Sequence, residues 1–117
     1  YVLYLHHKGV TRAGNAASSA WREYMLYFNV VRWRDCIAKL NEGFDVVGVN
    51  YHALPYPHFS GNFWWGKPSY LKNVPQGDYP DHKGEFWLFK GNPKFFSLHD
   101  SNVDHYKTVY ERKSYEL

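Results

Sequence analysis

His58-Phe59-Ser60-Gly61-Asn62-Phe63-Trp64-Trp65-Gly66-Lys67-Pro68-Ser69-Tyr70-Leu71 is the stretch around which this chain is organised. Two adjacent tryptophans, an asparagine and a histidine lie between Pro55 and Pro57 on one side and Pro68 on the other. Proline takes a donor out of a β-ladder, so Pro55 and Pro57 exclude regular structure just upstream, and Phe59 to Trp65 is predicted as a strand. Lys67-Pro68 then puts proline in the first turn of a short helix through Tyr70 and Leu71 to about Val74, where Pro75 stops it. So dense an aromatic and amide run is the floor expected of a binding site. Successive strand residues point to opposite faces, so one of Trp64 and Trp65 lines a pocket and the other is core. Sugar rings present apolar C–H faces that stack on indole, and their hydroxyls suit an amide such as Asn62 that both donates and accepts. Burial of both rings in the core is the competing reading.

Upstream, Tyr1 to Leu5 is a continuous apolar run of the kind that forms a strand buried on both faces. His6-His7-Lys8-Gly9 follows at its carboxyl end, where open α/β sheets hold their ligands. Thr11 to Ser19 reads as loop, with Ser18 or Ser19 as the cap of a helix carrying Trp21, Tyr24, Met25 and Phe28 at helical spacing. Val30 or Val31 restarts the pattern at Trp33, Cys36, Ile37 and Leu40, and Asn41-Glu42-Gly43 closes it. The change of phase predicts two helices or one kinked helix. Arg22, Arg32, Arg34 and Lys39 form its solvated face. Asp45 to Asn50 is the next strand, and the strand-helix-strand order favours parallel pairing.

Downstream, Gln76 to Gly84 is loop by composition. Glu85 to Phe89 is predicted as a short aromatic helix, Phe95 to His99 as a last buried strand, and Asp100 to Leu117 as a polar, tyrosine-rich tail in which Tyr106, Val109 and Tyr110 form one helical turn. The expected fold is α/β, a mostly parallel Rossmann-like sheet flanked by helices.

The chain has 117 residues, room for one domain that buries roughly two-thirds of its extended surface. Aromatics are 21% of it, with 11 Tyr, 8 Phe and 5 Trp, more than one core of this size absorbs. The net charge of +3 comes from scattered lysines and arginines, which favours a phosphate-bearing small molecule over a nucleic-acid track. Cys36 is the single cysteine, excludes an internal disulfide, and is expected to be a buried thiol. No run approaches the ~20 apolar residues of a membrane span. The chain opens at Tyr1 on an apolar strand, as a segment of a longer protein would.

On the predicted sheet, His6 to Lys8, the Asn62 to Trp65 stretch and His99 gather at one edge. His6 and Lys8 share a side of the strand and suit a diphosphate. Glu85, at a helix start, is ionised and able to accept a proton. The 7 histidines include no His-x-x-x-His or His-Glu-x-x-His pair, so no metal site is assigned.

These residues resemble those of GT-A-type glycosyltransferases, in particular the group described as glycosyltransferase-like or polysaccharide-biosynthesis proteins. The matching pieces are Tyr4 to Val10, Trp21-Arg22-x-Tyr24-Met25-x-Tyr27-Phe28, Val47 to Asn50, Pro57 to Trp65, Glu85-Phe86-Trp87 and Ser97-Leu98-His99. The resemblance implies that residues 1–117 are the carboxyl-terminal, acceptor-side part of a GT-A-like domain. It also implies that the strands cradling the nucleotide belong to a missing amino-terminal part of the same protein. The implied activity is transfer of a sugar from a nucleotide-sugar donor to a glycan or lipid-linked acceptor, in the cytoplasm or at the cytoplasmic face of a membrane. Glu85 is then the base. His6, Lys8 and His99 bind the donor diphosphate, and His58, Asn62, Trp64 and Trp65 bind the acceptor. Such enzymes usually hold a divalent metal such as Mn or Mg through Asp-x-Asp, but His6-His7-Lys8 stands in that place here. The expectation is transfer without a metal cofactor, with Lys8 neutralising the diphosphate. A noncatalytic carbohydrate-binding or structural module is the alternative.

Overall fold

The computed structural model describes residues 1–6, 15–75 and 86–117. In chain order these form β1 (Val2–Tyr4), α1 (Ala16–Leu26), a π-helical turn (Tyr27–Val31), α2 (Trp33–Asn41), β2 (Val46–Gly48), β3 (Tyr51–His52), β4 (His58–Phe59), β5 (Trp64–Gly66), α3 (Pro68–Leu71), a 3-10 turn (Trp87–Phe89), β6 (Phe95–Ser97) and a second 3-10 turn (Arg112–Ser114).

The cap of α1 is Asn15, not Ser18 or Ser19: its Oδ1 accepts the Ser18 N–H at 3.1 Å from an extended backbone. Trp21, Tyr24 and Met25 form the buried face of this helix, as their spacing predicts. The phase change after Phe28 is the π turn, where the Arg32 N–H reaches back to the Tyr27 carbonyl at 2.8 Å. Buried Asn29 sits inside it. Its Nδ2 donates to the Met25 carbonyl at 2.9 Å, and Trp65 Nε1 donates to the Asn29 carbonyl at 2.8 Å. The turn is thus stitched to the sheet by a tryptophan from β5. In α2, Cys36 and Leu40 lie one turn apart and are fully buried against Val47 and Trp65.

The four-stranded sheet has the order β1-β5-β2-β6. β5 is antiparallel to both β1 and β2, and only β2 and β6 pair in parallel. The expected mostly parallel Rossmann-like sheet is therefore incorrect: this sheet is mixed and built of three-residue strands. The strand-helix-strand order does leave β1 and β2 pointing the same way, but β5 lies between them. It can do so because the predicted Phe59–Trp65 strand is broken. Gly61 at φ +89° and Asn62 at φ +61° make a left-handed turn that separates β4 from β5.

β1 is also not buried on both faces. It is an edge strand, with Val2 and Tyr4 exposed. α2 covers the face of the sheet carrying Val47 and Trp65. The other face, with Val46 and Trp64, packs on Phe59, Leu88 and Phe89. Gly48 permits the closest approach there, since a Cβ would stand 2.8 Å from the Phe59 ring. Phe86 precedes a single 3-10 turn, in place of the helix expected from Glu85. The tail's 3-10 turn is Arg112–Ser114 and not the helical turn expected through Tyr106, Val109 and Tyr110, and His105 and Tyr115 are buried, Tyr115 among Tyr24, Tyr27 and Phe28.

Candidate functional site

The register gathers a site at one end of the sheet. Tyr4, Trp64, Gly48 and Ser97 form one row across the four strands. β1, β2 and β6 leave the sheet beyond that row, and β5 enters it there. Because β5 runs the opposite way, its leading residues lie where the others' trailing residues do. His6 after β1, Asn62 before β5, Asn50 after β2 and His99 after β6 thus share one edge, reached by a mixed topology that the sequence did not suggest.

At the β2–β6 side of this edge is Tyr24, fully buried on α1. Its Oη lies 2.8 Å from His99 Nδ1 and 3.3 Å from Asn50 Oδ1. Asn50 holds a left-handed φ of +51°, and its backbone N–H donates to the His99 carbonyl at 2.9 Å. Asn50 Oδ1 accepts the Ser101 N–H at 2.7 Å, which leaves Nδ2 to donate to His105 Nε2 at 3.2 Å. Ser101 Oγ approaches the same Nε2 at 2.7 Å. Nε2 is therefore an acceptor, and the ring proton of neutral His105 sits on Nδ1. Among the described residues that buried Nδ1 has no hydrogen-bond partner, and neither has Nε1 of Trp21, whose ring stacks on His105 at 5.5 Å.

Burial pushes the Tyr24 phenol well above its ordinary value, with Tyr110 and Asp100 adding to the rise. It pulls His99 below its ordinary value against the nearby Asp100, and His105 below against Asp104. The network is a set of neutral groups that donate and accept without net charge. Asp100 accepts from Ser97 Oγ at 2.8 Å at its rim.

Of the residues singled out in the sequence, His6, Asn62 and His99 lie along one end of the sheet, with His6 and His99 following its two outer strands, about 14 Å apart by strand spacing. His6 Nδ1 is 3.3 Å from Tyr4 Oη. Asn62 is buried, and its Oδ1 accepts Trp64 Nε1 at 3.0 Å. Trp64 and Trp65 divide between opposite faces as predicted, but each packs against a core cluster, in keeping with the competing reading that both rings belong to the core. Trp64 is buried under Tyr4, whose exposed ring stacks on it at 5.2 Å and 20°. Trp65 faces α2 and the π turn. His58 is buried on the β3–β4 ribbon, its ring 5.7 Å from His52 and edge-on to Phe86 at 4.9 Å. Lys8 and Glu85 lie outside the described residues.

Tyr24, Asn50, Ser101 and His105 were not among the predicted site residues. Tyr24 carries the spacing of a core residue, and His105 lies in what reads as a tail. Asn50 alone gave a signal, an amide directly after a β-branched strand. Imidazoles, amides and hydroxyls dominate the described edge, a set poorer in carboxylate oxygen than a hard divalent cation takes. Among the described residues no three His, Cys, Asp or Glu side chains form a metal-holding group. No helix of the described residues is long and apolar enough to cross a membrane.

Over residues 1–85 the chain matches the family described as Domain of unknown function (DUF8361). Neither the curated proteins nor the solved structures yielded a match.

Proposed function

The chain belongs to the DUF8361 family, whose description assigns no activity, and for it we propose sugar transfer from a nucleotide-sugar donor to a glycan or lipid-linked acceptor. The observation that carries this reading is the placement of His6, Asn62, Asn50 and His99 along one end of the four-stranded sheet. The edge supplies imidazole and amide groups of the kind that hydrogen-bond phosphate oxygens and sugar hydroxyls. In this reading His6 and His99 contact the donor diphosphate, with Lys8 supplying the positive charge. Asn62 and the Tyr4–Trp64 stack face the acceptor, where Tyr4 offers the exposed ring. Glu85 takes the acceptor hydroxyl's proton as that oxygen attacks the anomeric carbon and the nucleoside diphosphate leaves. Its assignment, like that of Lys8, comes from the resemblance to GT-A-type enzymes.

The test is release of nucleoside diphosphate from a panel of UDP- and GDP-sugars by the full-length protein, with and without chelator. The expected result is turnover that survives chelation. Glu85→Gln is expected to lose turnover while donor binding is retained. A protein that retains glycans but binds no donor in the panel is instead a noncatalytic carbohydrate-binding module. The specific observation favouring that second reading is the exposed Tyr4 ring stacked over buried Trp64, a platform that requires no reaction.

A further inference from the structure

A phenol has one proton to give; three acceptors lie within 3.3 Å of that of Tyr24, and the Ser101 hydroxyl, which also reaches it, has His105 Nε2 at 2.7 Å for its own proton. His99 Nδ1 is nearest at 2.8 Å, while Asn50 Oδ1 and the His99 carbonyl are both at 3.3 Å. The two oxygens are already served at shorter range. Asn50 Oδ1 takes the Ser101 N–H at 2.7 Å, and the His99 carbonyl takes the Asn50 N–H at 2.9 Å. Nδ1 of His99 has Tyr24 as its hydrogen-bond partner among the described residues. The imidazole itself has little freedom to turn, because Phe28 stacks on it at 5.0 Å and 20° and Tyr24 meets it edge-on at 5.5 Å.

We propose that Tyr24 is a positioning residue for His99: its hydroxyl donates to Nδ1, which fixes the neutral ring as the Nε2–H tautomer and leaves Nε2–H to donate to a donor phosphate oxygen. The ligand in this inference rests on the sugar-transfer reading, whereas the hold of Tyr24 on His99 does not. A ring fixed in this way presents a donor to an anion without reorganising and without carrying charge of its own. Burial of Tyr24 works in the same direction, since a phenol that keeps its proton remains a donor. The opposite tautomer, with Nδ1–H donating to Oη, sends the phenolic proton to an oxygen that already has a closer donor.

Nitrogen-15 spectra of the histidine-labelled full-length protein test this directly. The expected spectrum has His99 protonated at Nε2 and unprotonated at Nδ1. A wild-type His99 protonated at Nδ1 overturns the proposal, whether or not any variant folds. Tyr24→Phe retains the ring packing and removes the hydroxyl. It is expected to give a mixture of tautomers and to weaken UDP and GDP binding roughly tenfold, the scale of one hydrogen bond to a charged group. An unchanged tautomer in a folded Tyr24→Phe protein also overturns it, because packing alone then orients the ring. If the tautomer shifts in the variant but the wild type binds neither UDP nor GDP, the donor reading fails and the hold of Tyr24 on His99 stands.

Discussion

Asn50 and His105, 55 residues apart in the chain, meet inside the fold, with Asn50 Nδ2 3.2 Å from His105 Nε2. The contact joins the end of a central strand to the carboxyl-terminal tail, so the tail is part of the site's wall. Asn50 also carries a left-handed backbone, which asparagine tolerates better than most residues and glycine better still.

Replacement of Asn50 separates these two roles. Asn50→Gly keeps the backbone conformation but loses the side-chain bonds to Ser101 and His105. Loss of buried hydrogen bonds is expected to cost about 2–4 kcal/mol in urea unfolding. Asn50→Ala adds the strain of φ +51° and is expected to be about 1 kcal/mol less stable again. Equal stability of the two variants is the result that contradicts a backbone role.

The histidines set an acid limit. Burial lowers His99 and His105 below their ordinary value, while Asp100 and Asp104 oppose the shift and His52 adds to it at His105. A base whose folded pKa is depressed contributes its full stability above the unfolded value, near 6.5. Below that, the unfolded chain takes up protons that the folded chain refuses. Stability is therefore expected to be level from pH 8 to 7 and to fall as pH drops through about 6.5. His105→Gln is expected to make that fall shallower. Unfolding midpoints that rise on acidification contradict the neutral network.

Much of the local structure was legible because it is written locally. Val46–Gly48, Trp64–Gly66 and Phe95–Ser97 are β-branched or aromatic runs, and Pro68 opens α3 where a proline at a first turn predicts it. The phase change between Phe28 and Trp33 was visible as a break, but nothing in the pattern separates a kink from a π turn held by Trp65. Pairing order was not legible. It turns on the left-handed Gly61-Asn62 turn and on packing between residues far apart in the chain. The edge was still found in part, since His6, Asn62 and His99 sit next to strand ends under either topology. The Tyr24 network was missed because the polarity of Tyr24 is used inside a core face, and because the burial of His105 draws on residues far away in the chain, among them Trp21, Tyr24 and Asn50.

Gly61 is the position where the break between β4 and β5 is most exposed to test. An added Cβ would stand 2.2 Å from Met25 Sδ and 3.2 Å from the Trp21 ring, at a φ of +89°. The methionine can swing away, but the backbone strain stays. Gly61→Ala is expected to destabilise by about 2–4 kcal/mol, from strain and overpacking together. The tryptophan fluorescence of Trp21 is expected to change in the folded state. A variant within about 0.5 kcal/mol of the parent shows that the turn has another low-energy form.

The alkaline limit follows from acids raised by burial, Cys36 and Tyr70 together with the phenols of Tyr24 and Tyr115. Burial pushes the Cys36 thiol from a value near 9.0 up to about 12, with Asp35 adding to the rise; its Sγ faces the Phe28 carbonyl at 3.4 Å. Burial likewise raises Tyr70 to about 12, its hydroxyl donating to the Leu88 carbonyl. In both, the folded state favours the protonated form. Their contribution is complete below the unfolded values and drains away as pH rises from about 9 toward 12, because the unfolded chain alone gives up its protons. Stability is expected to decline across that window, and less steeply in Tyr70→Phe. Native Cys36 is also expected to resist thiol reagents at pH 8, since the thiolate is the nucleophile, and to react at the rate of opening. Rapid labelling of the folded protein, with no dependence on added urea, contradicts a thiol enclosed between α2 and the sheet.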